Sequence, residues 1–259
     1  MSIVELNIEK HIGTITMNDP RHRNCLSAKM IAGIIHAFEA CERSGCRVII
    51  IRAHENATVF SAGHDVREIP TDKQDPVTWN EPYSNLLRTV RNCSLPVISQ
   101  LGGTVWGGAC DLVVCTDLIV ASENVTFAIT PAKLGLPYNT VGVAHFIGSL
   151  PLHIVKEMFL TARPITAETA HRLGFVNRLV QPEELQEQTL QLAQIVADNA
   201  PLCIRVLKTE MRMLADAIML SPGDFEQIQS LRRATFRSKD FLEGINSFYE
   251  KRDPKFRGE

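Results

Sequence analysis

Phe60-Ser61-Ala62-Gly63-His64-Asp65 is the stretch on which the reading of this chain turns. It follows Arg47-Val48-Ile49-Ile50-Ile51-Arg52, an apolar run of the kind that forms strands covered on both faces, as in parallel sheets. Its small residues let a ligand approach the backbone, and Gly63 permits a conformation in which successive N–H groups point outward. A second stretch, Trp106-Gly107-Gly108-Ala109-Cys110-Asp111, follows another buried run, Pro96–Leu101, and sets a glycine pair at a helix start. Free N–H groups at such a start, with the positive end of the helix dipole, suit a developing negative charge. Two such donors from separate turns can form an oxyanion hole. Taken singly, each stretch reads first as a tight turn, because glycine-rich strand-to-helix turns are common in α/β proteins. The glycines between Gly102 and Gly108 lack the spacing of a dinucleotide fingerprint or a P-loop, and the chain holds no GxSxG elbow.

Outward from these turns, Ile3–Ile8 and His11–Met17 alternate around Glu9-Lys10 and predict a hairpin. Ser27 is placed to cap a helix to about Glu42, with Met30, Ile31, Ile34, Ile35 and Phe38 on one face. The segment His54–Phe60 reads as a loop, Pro70 to Pro82 as a polar and mobile stretch, and Tyr83 to Arg91 as a helix. A helix from about Gly108 carries Leu112, Val113 and Cys115, and Asp117–Ala121 is a further apolar strand. From Pro151 the pattern is helical, broken at Pro164, Gly174, Pro182, Pro201 and Pro222. Alternating strands and helices followed by helices alone predict an α/β core over 1–200 and a helical segment over 201–259, with the boundary at Pro201.

Composition narrows the classes. The 259 residues are 45% hydrophobic, enough for a large core, and their net charge of −2 leaves no basic surplus for nucleic acid or an anionic membrane. No run reaches the roughly 18 apolar residues of a membrane helix, and Met1 to Lys10 lacks the basic start and apolar block of a secretion signal, so a cytoplasmic protein is expected. The seven cysteines are odd in number, form no CxxC and make no zinc-spaced cluster with histidine, so buried free thiols and no metal are expected.

In order along the chain, these pieces resemble the crotonase superfamily. Asn18-Asp19-Pro20 with Asn24-Cys25-Leu26 is similar to its N-x-P…N-A-L segment, and Phe60–Asp65 to its F-x-A-G-x-D turn. Gly107-Gly108-Ala109-Cys110-Asp111 is similar to G-G-G-x-E, and Asp117, Phe127 and Leu134-Gly135-Leu136 continue the likeness. Thr161 through Ala170, Gly174–Asn177 and Phe248–Pro254 extend it nearly to the end. The resemblance implies a spiral of ββα turns with carboxy-terminal helices that build trimers, often paired into hexamers, and an acyl-CoA thioester as partner. It implies that the N–H groups of His64 and Gly108 bind the thioester oxygen. It also implies that Ala62, Gly63, His64, Asp65 and Val66 line the CoA arm, with Lys251 near the phosphates of its own or a neighbouring subunit's ligand. Arg21, His22 and Arg23 read as surface charges.

Hydratases of this family use two glutamates. The first falls at Asp111, one carbon shorter and so set back by about 1.5 Å; the second falls at Pro131, which has no acid–base chemistry. Thr130-Pro131-Ala132-Lys133-Leu134-Gly135-Leu136-Pro137-Tyr138-Asn139, together with His64 and Val105-Trp106, instead resembles the decarboxylases of the family. That likeness implies loss of CO2 from methylmalonyl-CoA to give propionyl-CoA, with no metal, biotin or nicotinamide. Tyr138 would orient the substrate carboxylate, Thr130 would add a second hydrogen bond, and Asp111 would either support neighbouring groups or protonate the enolate. The alternatives are another acyl-CoA reaction of the family (hydration, isomerisation or hydrolysis) and a silent CoA-binding scaffold. His145, His153 and His171 read as structural, and Cys110 as a buried thiol without a partner base.

Overall fold

The computed structural model describes residues 2–69, 78–217 and 221–259. The polar stretch from Pro70 lies outside these residues as far as 77, and at its far end Pro82 opens a helix. Strands β1 (Val4–Glu9) and β2 (Ile12–Met17) pair antiparallel about Lys10 and His11, both at positive φ, as a two-residue hairpin requires. Ser27 caps α1 (Ala28–Arg43) by accepting from the Met30 N–H. Met30, Ile31, Ile34 and Phe38 are buried, with Ile35 at the margin of that face.

Next come β3 (Val48–Ala53), β4 (Val59–Ser61) and α2 (Pro82–Asn92), then β5 (Val97–Leu101), β6 (Thr104–Trp106) and α3 (Gly108–Val114). A third long strand, β7 (Leu118–Ser122), again hands over to a short one, β8 (Thr126–Ala128). The long strands lie in one six-stranded sheet of order β1-β2-β3-β5-β7 and, at its end, β10 (Arg178–Val180). The short ones lie in a second sheet of order β4-β6-β8, closed by β9 (Ile165–Thr166). Within each sheet the three repeats pair parallel, so the chain winds as a spiral of ββα turns. His54–Phe60 and the glycine-rich turn therefore contain strands that a reading by alternation misses, since three residues are too few to show a period. The helical pattern after Pro151 is likewise interrupted by β9 and β10, of two and three residues.

The remaining helices are α4 (Thr140–Ile147), α5 (Leu152–Thr161), α6 (Ala167–Arg172) and α7 (Leu185–Asp198), then α8 (Pro201–Ala215), α9 (Pro222–Phe236) and α10 (Lys239–Glu250). Among the described residues no helix is long and apolar enough to cross a membrane. The double-sided burial of β3 has a simple source. Ile49 and Ile51 face the main core beneath α1 and α2, whereas Val48 and Ile50 face α7 through Leu185, Ala193 and Ala197. All seven cysteines are free; Cys203 is exposed, Cys25 half-buried and the other five buried.

The carboxy-terminal helices are tied to this body by polar as well as apolar contacts. Lys208 of α8, 9% exposed, donates to the Leu95 carbonyl at 2.8 Å and pairs with Asp117 at 2.6 Å, while Asp117 also accepts from the Val97 N–H. Removing the ammonium strands a half-buried carboxylate that keeps one other donor. Lys208→Ala should therefore cost about 1–3 kcal/mol, less than for a fully buried pair. The check is a urea unfolding curve, whose midpoint should fall with its slope unchanged; an unmoved midpoint would deny the tie any weight.

Candidate active site

The first turn is clasped from behind by the segment around Asn24. Asn24 donates from Nδ2 to the Phe60 carbonyl at 3.1 Å. Ser61 Oγ donates to the Asn24 carbonyl at 2.7 Å and accepts from the Gly63 N–H at 3.2 Å. Ala62 N–H bonds to Arg23 and Leu26 N–H to Gly63 through backbone oxygens. Gly63 sits at φ +88°, and a Cβ there would stand 2.5 Å from the Trp106 oxygen and 2.7 Å from the Gly108 nitrogen. The two glycine turns thus touch backbone to backbone, which only glycine allows. Gly107, at φ +55°, is pinned by donating to the Ala128 carbonyl and opens α3. Among the described residues, neither the His64 N–H nor the Gly108 N–H has an intramolecular acceptor.

Helix α2 forms a wall over this pair. Tyr83, 3% exposed, donates from its hydroxyl to the Gly108 carbonyl at 2.9 Å, and the His64 ring stands edge-on to it at 5.5 Å. His64 Nε2 lies 3.5 Å from Glu81, which also caps α2 by accepting from the Ser84 N–H. Burial pulls the His64 imidazole down, but the hydrogen bond and charge of Glu81 outweigh it and hold its pKa above the ordinary value. Burial pushes Glu81 up, and the same histidine brings its pKa below the usual carboxylate range.

Asp111, one turn after Gly108, is wholly buried. Its Oδ1 accepts from His145 Nδ1 of α4 at 2.7 Å, while Oδ2 has no partner. Tyr138 packs edge-on against Phe159 and Phe146, and its buried hydroxyl is also unpartnered. Burial, followed by the charge of Asp111, pushes the Tyr83 hydroxyl far above its usual range. Tyr138 is raised by burial, then by Tyr83 and Asp111. Thr130 does not use its hydroxyl to cap the turn that follows, and that oxygen lies 3.5 Å from where a Gly107 Cβ would be. Arg232 of α9, 6% exposed, donates to the carbonyls of Pro137 and Tyr138 and so fixes the loop carrying Tyr138.

The structure thus brings Gly63, His64, Gly108, Asp111, Thr130 and Tyr138 to one place, with Ala62 exposed beside them. Asp65 is engaged by Arg67, whose hydrogen bonds hold its carboxyl below the usual range, and Val66 packs on the apolar cluster of Phe236, Phe241 and Ile245. Lys251 is exposed at the end of α10. That helix meets the site loop where Asp240 abuts Gly135, roughly 16 Å of helix from Lys251. Arg21, His22 and Arg23 are exposed. Cys110 is buried with its thiol donating to the Val105 carbonyl, and burial raises its pKa. Among the described residues, Asp111, Cys115 and His145 offer ligand atoms within 4.8 Å of one another that could hold a metal. The Asp111–His145 hydrogen bond occupies two of these, and burial, then the charge of Asp111, pushes the Cys115 thiol far above its usual range. Tyr83, Glu81, His145 and Arg232 reach the site from helices distant in sequence, and no local motif announces them.

Residues 7–259 match the enoyl-CoA hydratase/isomerase family, and the chain belongs to it. Within the family it is 40% identical over 258 residues to methylmalonyl-CoA decarboxylase of Escherichia coli, covering 100% of this chain and 98% of that one. A crystal structure of methylmalonyl-CoA decarboxylase with 2-nitronate-propionyl-CoA superposes at a TM-score of 0.97, with 40% identity over 99% of both chains. Carnitinyl-CoA dehydratase of Salmonella arizonae is 31% identical over 94% of each chain. An enoyl-CoA hydratase of Geobacillus kaustophilus superposes at 0.76 with 30% identity, over 99% of this chain and 98% of that one.

A methyl group at Gly63 must force the two turns apart. Gly63→Ala should therefore lower turnover of a CoA thioester by about 100-fold, the usual cost of losing one oxyanion donor. Steady-state kinetics beside a thermal melt provide the check, and a folded variant with full activity would remove the two-turn contact from the chemistry.

Proposed function

We propose that the protein is a carbon–carbon lyase that converts methylmalonyl-CoA to propionyl-CoA and CO2. The observation that carries this reading is the pair of unspent N–H groups, His64 and Gly108, on two turns locked against each other at Gly63. As the carboxylate leaves, the electrons of the breaking bond flow into the thioester carbonyl, and the enolate oxygen receives hydrogen bonds that strengthen as its charge grows. The bond must stand roughly perpendicular to the thioester plane, so orienting the carboxylate is the main task left to side chains. Tyr138 supplies its buried, unpartnered hydroxyl for this, and Thr130 offers a second. The electrons stay in the product, so this step calls on no cofactor besides the CoA that belongs to the substrate. Pro131, where the hydratases of the family carry a second glutamate, argues against hydration.

Ala62, Gly63, His64, Asp65 and Val66 run along the expected path of the CoA arm. Lys251, exposed and distant within its own chain, suits the phosphates of a neighbouring subunit's ligand. The segment 201–259 serves assembly in the same reading. On α8 Leu202, Val206, Met211 and Leu214 are all more than half exposed, which favours a homotrimer or homohexamer that covers them. Light scattering should give one of these masses, and a monomer would defeat the assembly role. A cytoplasmic home suits seven free thiols, which a reducing compartment keeps unpaired.

Mass spectrometry after separate incubation with methylmalonyl-CoA and crotonyl-CoA should show propionyl-CoA from the first and no change in the second. Addition of water to crotonyl-CoA would overturn the argument from Pro131. Tyr138→Phe should lose about 100-fold in decarboxylation while CoA binding holds within a few-fold; unchanged turnover would sink the orienting role.

A further inference from the structure

Decarboxylation leaves an enolate that must gain a proton at carbon, and the family resemblance leaves Asp111 two roles, support of its neighbours or protonation of that enolate. We propose that Asp111 delivers that proton and that His145 is the positioning residue holding its free oxygen toward the reacting carbon; the proposal rests on the decarboxylase reading. Three observations converge on it. First, Asp111 is fully buried, yet only Oδ1 is satisfied, by His145 Nδ1 at 2.7 Å and more weakly by Cys115 Sγ at 3.9 Å. A carboxyl oxygen buried without a partner is costly, so Oδ2 calls for a proton or a ligand.

Second, Oδ2 lies on the Tyr138 side of the site. A Cβ on Gly142 would stand 2.6 Å from Oδ2 and 2.4 Å from Tyr138 Cε1, so this glycine keeps open the space where the two side chains meet. The hydroxyls of Tyr138 and of Thr140, which opens α4, are likewise buried and unpartnered. Third, Asp111 follows Gly108 by three residues on α3, which places both on one helix face. An aspartate reaches less far than the glutamate of the family pattern. The histidine bond from α4 fixes where this shorter arm points.

The step balances without a further reactant. The enolate's electron pair takes the proton from Oδ2–H, a C–H bond forms at C2, and the O–H electrons remain on Asp111 as carboxylate. The Nδ1–H of His145 stabilises that charge, and a proton from water restores the acid. Run backwards, the same pair removes a C2 proton from propionyl-CoA with no CO2 present.

The test is exchange of the C2 protons of propionyl-CoA in D2O, followed by mass spectrometry, with CO2 release from methylmalonyl-CoA measured in parallel. The wild-type protein should exchange. Asp111→Asn should lose about 100-fold, the usual worth of a positioned acid or base. His145→Leu should lose about tenfold, in line with a hydrogen bond to a charged group. His145→Asn should recover to within about threefold, because its amide nitrogen stands as many bonds from Cα as Nδ1 and donates the same bond. Exchange that is absent from the wild type, untouched in Asp111→Asn, or lost equally in both folded His145 variants would overturn the proposal. Exchange by the wild type without CO2 release would instead defeat the decarboxylase reading and leave the pair's role in place.

Discussion

The approach of Gly63 to the start of α3 is the constraint around which the rest of the chain is arranged. Two backbone segments meet so closely that one methyl group would sit 2.5 Å from a carbonyl oxygen. Holding them there requires both turns to be rigid. The first is clasped by Asn24, Ser61 and the backbone of Arg23 and Leu26, and the second by Gly107 donating to Ala128 and Tyr83 donating to Gly108. Each turn follows a short strand of the second sheet, and each short strand follows a long strand of the first. The spiral therefore stacks equivalent turns along one edge. An enolate oxygen needs donors fixed before charge develops, since reorganising them during reaction would consume the gain.

The same edge gathers two histidine–carboxylate pairs with different surroundings. His64 and Glu81 lie where solvent still reaches, each 18% exposed, and each shifts the other toward its charged form against the pull of burial. Asp111 and His145 lie deeper, at 0% and 8%. With little water to share the load, the unpaired Oδ2 stands out there. At the outer pair a stray proton or water molecule is cheap, and the pair serves to hold α2 over the first turn. At the inner pair Cys115 Sγ also lies within reach of both partners, 3.9 Å from Asp111 Oδ1 and 3.6 Å from His145 Nδ1, so Oδ1 is crowded while Oδ2 faces no protein donor.

Much of this is legible in the sequence, and for definable reasons. The hairpin shows by its alternation, α1 by its apolar face and Ser27 cap, and β3, β5 and β7 as continuous apolar runs long enough to stand out. The strands β4, β6, β8 and β9, of two or three residues, are not, and their pairing is decided by the long strands beside them. Within the site, residues on the glycine turns announce themselves because glycine at a strand end implies a close approach. Tyr83 and His145 do not, since a tyrosine in a helix or a histidine on an apolar helix reads as packing until its neighbour is known. The role of Arg232 is hidden for the same reason: it acts on backbone carbonyls nearly a hundred residues away.

That last contact joins the carboxy-terminal helices to the chemistry. Arg232 holds the carbonyls of Pro137 and Tyr138, and α10 packs so tightly on the adjoining turn that Gly244 and Gly135 have no room for a side chain against Leu134 and Asp240. Tyr138 is thereby placed from two sides, by the aromatic rings of Phe146 and Phe159 within the core and by α9 behind its backbone. Val66, just past the first turn, rests on the cluster formed by α9 and α10. The helices with exposed apolar side chains and those that fix the Tyr138 loop thus belong to one segment. Anything that shifts this segment moves the loop that carries Tyr138 and the turn beneath Gly135.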